Sequence, residues 1–259
     1  MRTPPASPGC GRRRGNSNMD TYKVMSFSEA VEGNAYPGRG IVVGMTPNGS
    51  KAAAAYFIMG RSENSRNRVF TIRDGVVYTE PFELSKLKDP SLIIYAAVRK
   101  KDNHLVVTNG NQTDTIVEEL AEGGTFYSAL ETRCFEPDAP NFTPRISAEI
   151  EFDGKEGFMY RMSILKSADA EGSACNRYGF NYAPVAGLGH FIHTYECDGN
   201  PLPTFAGEPT RIAVPGSIDE FADEIWNSLN EDNKISLYVS YTDLVSGETE
   251  FRLFNKNAK

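Results

Sequence analysis

Nine consecutive residues, Gly60 to Arg68, hold three arginines, two serines and two asparagines. Guanidinium groups present a planar fork of donors, and hydroxyl and amide groups fill the lone pairs the fork leaves over, so the run suits an anion such as phosphate. It suits a core badly. The alternative for the same residues is an arginine-rich solvated loop. Arg61, Arg66, Arg68 and Arg73 lie within 13 positions. Arg68 opens a strand-like run, where loop-borne side chains meet ligands, whereas Arg66 and Arg73 read as solvent-facing.

Four further constellations carry polar chemistry. In Val107–Thr115 a strand ends in an Asn-Gly turn and a helix begins soon after. Asn109, Thr113 and Asp114 crowd a helix N-terminus, whose free N–H groups attract anions. The same residues are also ordinary turn and cap formers. Tyr95 sits in an apolar strand and presents a hydroxyl that either packs as core or donates a proton. Glu136 and Asp138 lie in a segment stiffened by Pro137, Pro140 and Pro144; Arg145 follows as a salt-bridge partner for a nearby acid. His190 and His193 are three apart, which in a strand puts them on opposite faces and argues against shared metal ligation. The chain has no GxxxxGK[ST], no GxGxxG after a strand, no HExxH and no GxSxG, which disfavours ATP-loop, nicotinamide, zinc-protease and serine-hydrolase chemistry.

The chain has 259 residues and a net charge of −7. That balance disfavours nucleic acid and anionic membranes as partners, and no apolar run reaches the 18 residues of a membrane span. Residues 1–18 are rich in Pro, Gly, Ser and Arg and carry four arginines and no acid, so without them the net charge is −11. This segment reads as a disordered basic tail or extension before Met19, with residues 19–259 as one domain. Cys10, Cys134, Cys175 and Cys197 show no CxxC or zinc-like spacing. Without an apolar secretory segment they point to a cytoplasmic protein.

The elements that must position these groups follow from periodicity. A short helix falls in 21–33. Strand-like runs follow at 40–45, 52–59, 68–73, 75–79, 92–99 and 104–108, with Asp74-Gly75 as a tight hairpin turn. A capping box at Thr115 and Glu118 starts a helix to Ala121, which resumes over 125–133. Strands at 146–152, 157–165 and 190–196 precede a strongly amphipathic helix at 217–229, capped by Ser217. Strands 235–241 and 249–254 close the chain. Strands and helices do not alternate, which predicts antiparallel sheets with helices on their outer faces, an α+β class with a layered αββα arrangement.

The blocks GRSENSRNRVF (60–70), DPSLIIYAAVR (89–99), VVTNGNQTDTI (106–116) and TPRISA (143–148) resemble the archaeal-type IMP cyclohydrolase family, with GRGIVVG (38–44) and HTYE (193–196) adding to the likeness. Residues 166–190 look like an insertion relative to the family. The resemblance implies a four-layer αββα fold like that of N-terminal-nucleophile hydrolases. It implies closure of 5-formamidoimidazole-4-carboxamide ribonucleotide to IMP without cofactor or metal, on a small-molecule nucleotide substrate. A homo-oligomer is the expected assembly. On this reading Arg61 and Ser62 grip the 5′-phosphate with Asn67 assisting. Arg68 stabilises developing charge, Tyr95 hydrogen-bonds the formyl oxygen, and Glu136 accepts a proton, with Asp138 as second choice. Asn109, Thr113 and Asp114 hold base or ribose. The rival readings are an N-terminal-nucleophile amidohydrolase and a non-catalytic purine-nucleotide-binding protein.

Overall fold

The computed structural model describes residues 22–86 and 93–257; the expected 1–18 tail and residues 89–92 of the DPSLIIYAAVR block lie outside them. Helix α1 (Phe27–Val31) is started by Ser26 in a capping box with Glu29. Strands β1 (Arg39–Met45) and β2 (Lys51–Met59) lead through the short helix α2 (Glu63–Arg66) to β3 (Val69–Arg73) and β4 (Val76–Glu80). Asp74 and Gly75, both at positive φ (50° and 75°), form the two-residue turn between β3 and β4; paired positive φ matches the right-handed twist of a hairpin. Strands β5 (Tyr95–Lys101) and β6 (His104–Thr108), helices α3 (Gln112–Ala121) and α4 (Phe126–Glu131), and strands β7 (Arg145–Phe152), β8 (Phe158–Ser167), β9 (Cys175–Tyr182), β10 (Leu188–His193) and β11 (Thr210–Ala213) follow. Helix α5 (Ile218–Ser228) and strands β12 (Lys234–Asp243) and β13 (Thr249–Asn255) end the fold.

The strands form two antiparallel sheets. One has the order β11-β10-β1-β2-β12-β13 and the other runs in sequence from β3 to β9. The fold is therefore α+β, as the strand grouping in the sequence predicts. Strand alternation sorts each side chain to a layer. In β2, Ala52, Ala54, Tyr56 and Ile58 point between the sheets, while Ala53, Ala55, Phe57 and Met59 point outward to α1 and α5. Both faces of this strand are covered, which is why it reads as a continuous apolar run. The second sheet packs Val106 and Leu165 against Ile116, Val117, Phe126, Ala129 and Leu130 of α3 and α4.

Helix α2 and strand β11 are additions to the expected elements, and two further differences have a clear physical reason. Helix α3 begins at Gln112, three residues ahead of the Thr115 capping box, and its N-cap Asn111 makes no side-chain cap bond. Thr113 Oγ1 donates back to the Gly110 carbonyl and pairs with Thr108 Oγ1 at 2.7 Å, so anchoring to β6 outweighs the local cap signal. The segment 166–190 contains β9, an edge strand whose residues 176–179 are all exposed and show no alternation to read.

His190 and His193 do fall on different surfaces. Tyr160 meets His190 Nδ1 at 2.6 Å between the sheets, while His193 Nδ1–H donates to the Tyr195 carbonyl at 2.8 Å and its ring stacks on Phe191. Burial holds both imidazoles down, at about 4. Folding thus favours the neutral rings, and their stabilisation is complete above the unfolded value near 6.5 and lost as pH falls from there toward 4. We expect the unfolding free energy from urea titration to drop over this window by up to about 1.4 kcal/mol per pH unit per histidine; a free energy flat from pH 7 to 4.5 would contradict it. Phe221→Ala, which empties a fully buried site under α5, is expected to cost about 3–5 kcal/mol in the same assay.

Candidate active site

In antiparallel sheets the start of one strand lies beside the end of the next. The starts of β1, β3, β5 and β7 and the ends of β2, β4, β6 and β10 therefore collect at one end, as the pairs Gly40–His193, Arg39–Ile58, Thr79–Tyr95 and Thr108–Ser147 record. Parity then aims the side chains. Arg39 shares the face of Ile41 and Val43, and Arg68 that of Phe70, so both guanidiniums point between the sheets. Tyr56 and Tyr95 point inward as well, and their hydroxyls meet at 2.9 Å. Arg145 has the opposite parity to Ile146 and lies against α3, where its Nη1 donates to Gln112 Oε1 at 2.6 Å.

Glu136 comes from the α4–β7 connection. Its amide donates to the Thr143 carbonyl at 2.9 Å, and Asp138 holds the turn by accepting from the Thr143 amide at 2.6 Å. The Glu136 carboxylate lies 3.8 Å from Arg145 Nη1. Burial raises its pKa above the ordinary carboxylate range, against the pull of Arg39 and Arg145 and with Asp138 adding to the rise. Burial likewise pushes Tyr56 well above the usual phenol, helped by the adjacent Tyr95. Tyr195, raised to about 12 by burial, stacks on Tyr36 and contacts Thr143 Oγ1 at 2.7 Å.

The electrostatic result is a surplus. Arg39, Arg68 and Arg145 are 8, 4 and 7% exposed, and Glu136 is the one buried carboxylate facing them. The Nε of each arginine has no partner, and neither Arg39 nor Arg68 makes any side-chain hydrogen bond or ion pair among the described residues. Guanidinium keeps its charge at any physiological pH, and a buried ion without a partner costs about 3–5 kcal/mol. Such a cluster is stable only because the apolar layers around it supply the difference.

The sequence-selected residues are distributed as follows. Arg68, Tyr95 and Glu136 converge on this centre with Arg39. Asn109 stands behind it: its Oδ1 accepts from the Ile146 amide and Gln112 Nε2, and its Nδ2 donates to the Pro144 carbonyl, fixing the start of β7 and so Arg145. Thr113 is buried in the turn. Arg61 lies on the rim, over the Tyr36 ring at 5.0 Å, with its Nη1 on Asp198 and the Gly199 carbonyl. Ser62 caps α2 through Ser65, Asn67 is bonded both ways to the Glu83 backbone, and Asp114 faces Arg99 at 2.7 Å. Arg66 donates to the Gly60 carbonyl and Asn233, and Arg73 pairs with Glu80 in the open.

Arg39, Tyr56, Gln112 and the guanidinium of Arg145 are members that sequence reasoning did not assign. A legible signal existed for Arg39, a lone arginine opening a strand that is otherwise apolar. Gly110 is a further requirement: a Cβ there would sit 2.3 Å from Arg145 Nη1 and 2.6 Å from Gln112 Oε1. Among the described residues no group of three His, Cys, Asp or Glu is placed to hold a metal, and no helix is long and apolar enough to cross a membrane.

This arrangement sets three buried guanidiniums against one carboxyl at the shared end of two facing antiparallel sheets. The chain belongs to the family described as IMP cyclohydrolase-like protein, whose profile matches residues 36–248. It is similar to the IMP cyclohydrolase of Methanopyrus kandleri, 31% identical over 185 residues, which cover 66% of this chain and 89% of that protein. It is also similar to those of Methanocaldococcus jannaschii (32% over 117 residues, 45% of this chain and 57% of that protein) and Methanococcus aeolicus (28% over 167 residues, 62% and 75%).

If the guanidinium surplus is the ligand site, inorganic phosphate raises the thermal midpoint of the wild type. Arg39→Met, which removes an unpaired buried charge, leaves the ligand-free midpoint unchanged or higher and abolishes the phosphate response. The comparison is made in an Arg61→Ala background, so that the rim arginine does not contribute; a phosphate shift retained there in Arg39→Met and in Arg68→Met would exclude this centre.

Proposed function

We propose that this chain is an IMP cyclohydrolase, closing 5-formamidoimidazole-4-carboxamide ribonucleotide to IMP and water, with Arg39, Arg68, Tyr95 and Glu136 around the reacting groups. The observation that carries the reading is the buried, unpartnered guanidinium pair facing a tyrosine dyad and one carboxyl with a raised pKa. Both reacting groups belong to one molecule, so the protein's task is to hold one rotamer, stabilise an oxyanion and move protons.

The carboxamide nitrogen bonds to the formyl carbon, and the formyl C=O becomes C–O. Tyr56, kept protonated by burial, donates to the Tyr95 oxygen and leaves the Tyr95 O–H free for the formyl oxygen. Arg39 and Arg68 face that oxygen as fixed dipoles and charges that need no reorganisation. The Glu136 carboxylate takes the proton the carboxamide nitrogen sheds, and Tyr95 protonates the oxyanion to a hydroxyl. Glu136 then returns its proton to that hydroxyl as the C–O bond breaks and water leaves, the ring C=N bond forms, and the formamido N–H proton passes back to the Tyr95 oxygen. The raised pKa of Glu136 suits a group that must both accept and give. Arg61 is the proposed outer ligand of the 5′-phosphate, exchanging Asp198 for it, while Ser62 and Asn67 shape the loop that presents it. Asn109 and Thr113 support the floor through the β6–α3 turn, and Asp114, committed to Arg99, has no part. Two facing antiparallel sheets with α1 and α5 on one outer face and α3 and α4 on the other support a four-layer αββα sandwich of the N-terminal-nucleophile-hydrolase type.

The test is conversion of the formamido ribonucleotide to IMP followed by ultraviolet absorbance. Wild type turns over. Tyr95→Phe and Glu136→Gln each lose about 10²–10³-fold in kcat while binding IMP within about threefold of wild type. Nucleotide binding without turnover by the wild type would select the non-catalytic reading, and a fully active Tyr95→Phe would remove that hydroxyl from the chemistry.

A further inference from the structure

Two thiols far apart in sequence meet beside the segment that carries Glu136. Cys134 lies two residues before Glu136 on the α4–β7 connection, and Cys175 opens the edge strand β9 opposite Ser167. One guanidinium gathers the two chain segments. Arg177 Nη2 donates to the carbonyls of Arg133 (2.7 Å) and Glu131 (3.2 Å), its Nη1 to the Cys175 carbonyl (3.2 Å) and its Nε to the Leu130 carbonyl (3.5 Å). Carbonyls of residues 133 and 175 bound by a single guanidinium hold the two chain segments side by side, and a disulfide needs Cα atoms about 4.4–6.8 Å apart. The Cys134 and Cys175 side chains lie close enough to influence each other's ionisation, and the Cys175 thiol donates to the Asn176 carbonyl at 3.7 Å. Both cysteines are free, Cys134 exposed and Cys175 half-buried.

We propose that Cys134 and Cys175 are an oxidation site, joined into an intramolecular disulfide by a low-molecular-weight disulfide, and that the bond shifts the Glu136 segment and lowers turnover. Cys134, the exposed member, attacks first. Its thiolate displaces one thiolate from the small disulfide and forms a mixed disulfide. The Cys175 sulfur, deprotonated, then attacks the Cys134 sulfur and expels the second small thiolate. The protein loses two hydrogens, and the small disulfide is reduced to two thiols. Burial, with Cys134 beside it, raises the Cys175 thiol above its usual value, which fits the role of second attacker.

The consequence for the site follows from geometry. Bonded sulfurs lie about 2.05 Å apart, closer than any hydrogen-bonded pair of thiols. Closing that gap draws residue 134 toward β9, and Glu136 is tethered to it by two peptide units. This coupling rests on the role given to Glu136 under Proposed function; the formation of the bond does not.

The experiment uses the full reduced chain incubated with oxidised glutathione, alkylated and digested without reduction. The expected peptide map shows Cys134 linked to Cys175, with two hydrogens lost from the intact mass. Amide exchange over residues 133–143 changes, and turnover falls roughly tenfold or more, because small displacements of a reacting group cost up to about 10²-fold. Dithiothreitol restores all three. Cys134→Ser and Cys175→Ser keep wild-type turnover and do not respond. Recovery of both cysteines alkylated, or as separate glutathione adducts, overturns the pair. A linked pair with unchanged exchange over 133–143 overturns the coupling. If the reduced chain has no turnover at all, that counts against the cyclohydrolase reading alone, and the map and the exchange still decide this inference.

Discussion

Three guanidiniums held out of water at one end of two sheets dominate the energetics of this protein. A single buried carboxylate opposes them, so the centre carries a net positive charge inside a chain whose overall charge is −7. Burial depresses the Arg68 pKa, and the like charge of the neighbouring Arg39 lowers it further. Evolution commonly relieves such strain with more carboxylates. Here the neighbours are tyrosines, Tyr36, Tyr56, Tyr95 and Tyr195, which surround the cations with aromatic rings and phenol oxygens but no negative charge.

The scaffold that tolerates this is apolar on every side. The core between the sheets, the outer core under α1 and α5 and the smaller core under α3 and α4 supply burial that offsets the charge. Polar supports do the aiming. Asn109 and Gln112 hold Arg145, and Asp138, Thr143 and Tyr195 hold the turn that carries Glu136. Each support makes side-chain hydrogen bonds, while the Arg39 and Arg68 guanidiniums make none among the described residues.

Much of this was legible in the residues. Strand composition and the Asp74-Gly75 turn fixed the antiparallel class, because alternation and turn chemistry are local. The arginine run, Tyr95 and the Pro-rich Glu136 segment stood out by residue type. A complete capping box at Thr115 is outweighed by anchoring to β6, which moves the start of α3, and β9 has no legible hydrophobic period because its residues 176–179 are all exposed. Arg61 and Arg68 look alike in sequence, seven positions apart, yet one sits at the rim on Asp198 and the other is sealed inside.

The residue order therefore determined the strand class, the likeness to cyclohydrolases and the shortlist of charged and hydroxyl groups, since these depend on neighbours along the chain. The tertiary structure decided which of those groups share a centre, which was left without a partner, and that Cys134 and Cys175 touch across 41 positions. Burial and pairing are properties of distance in space, and only the stacking of the two sheets sets that distance.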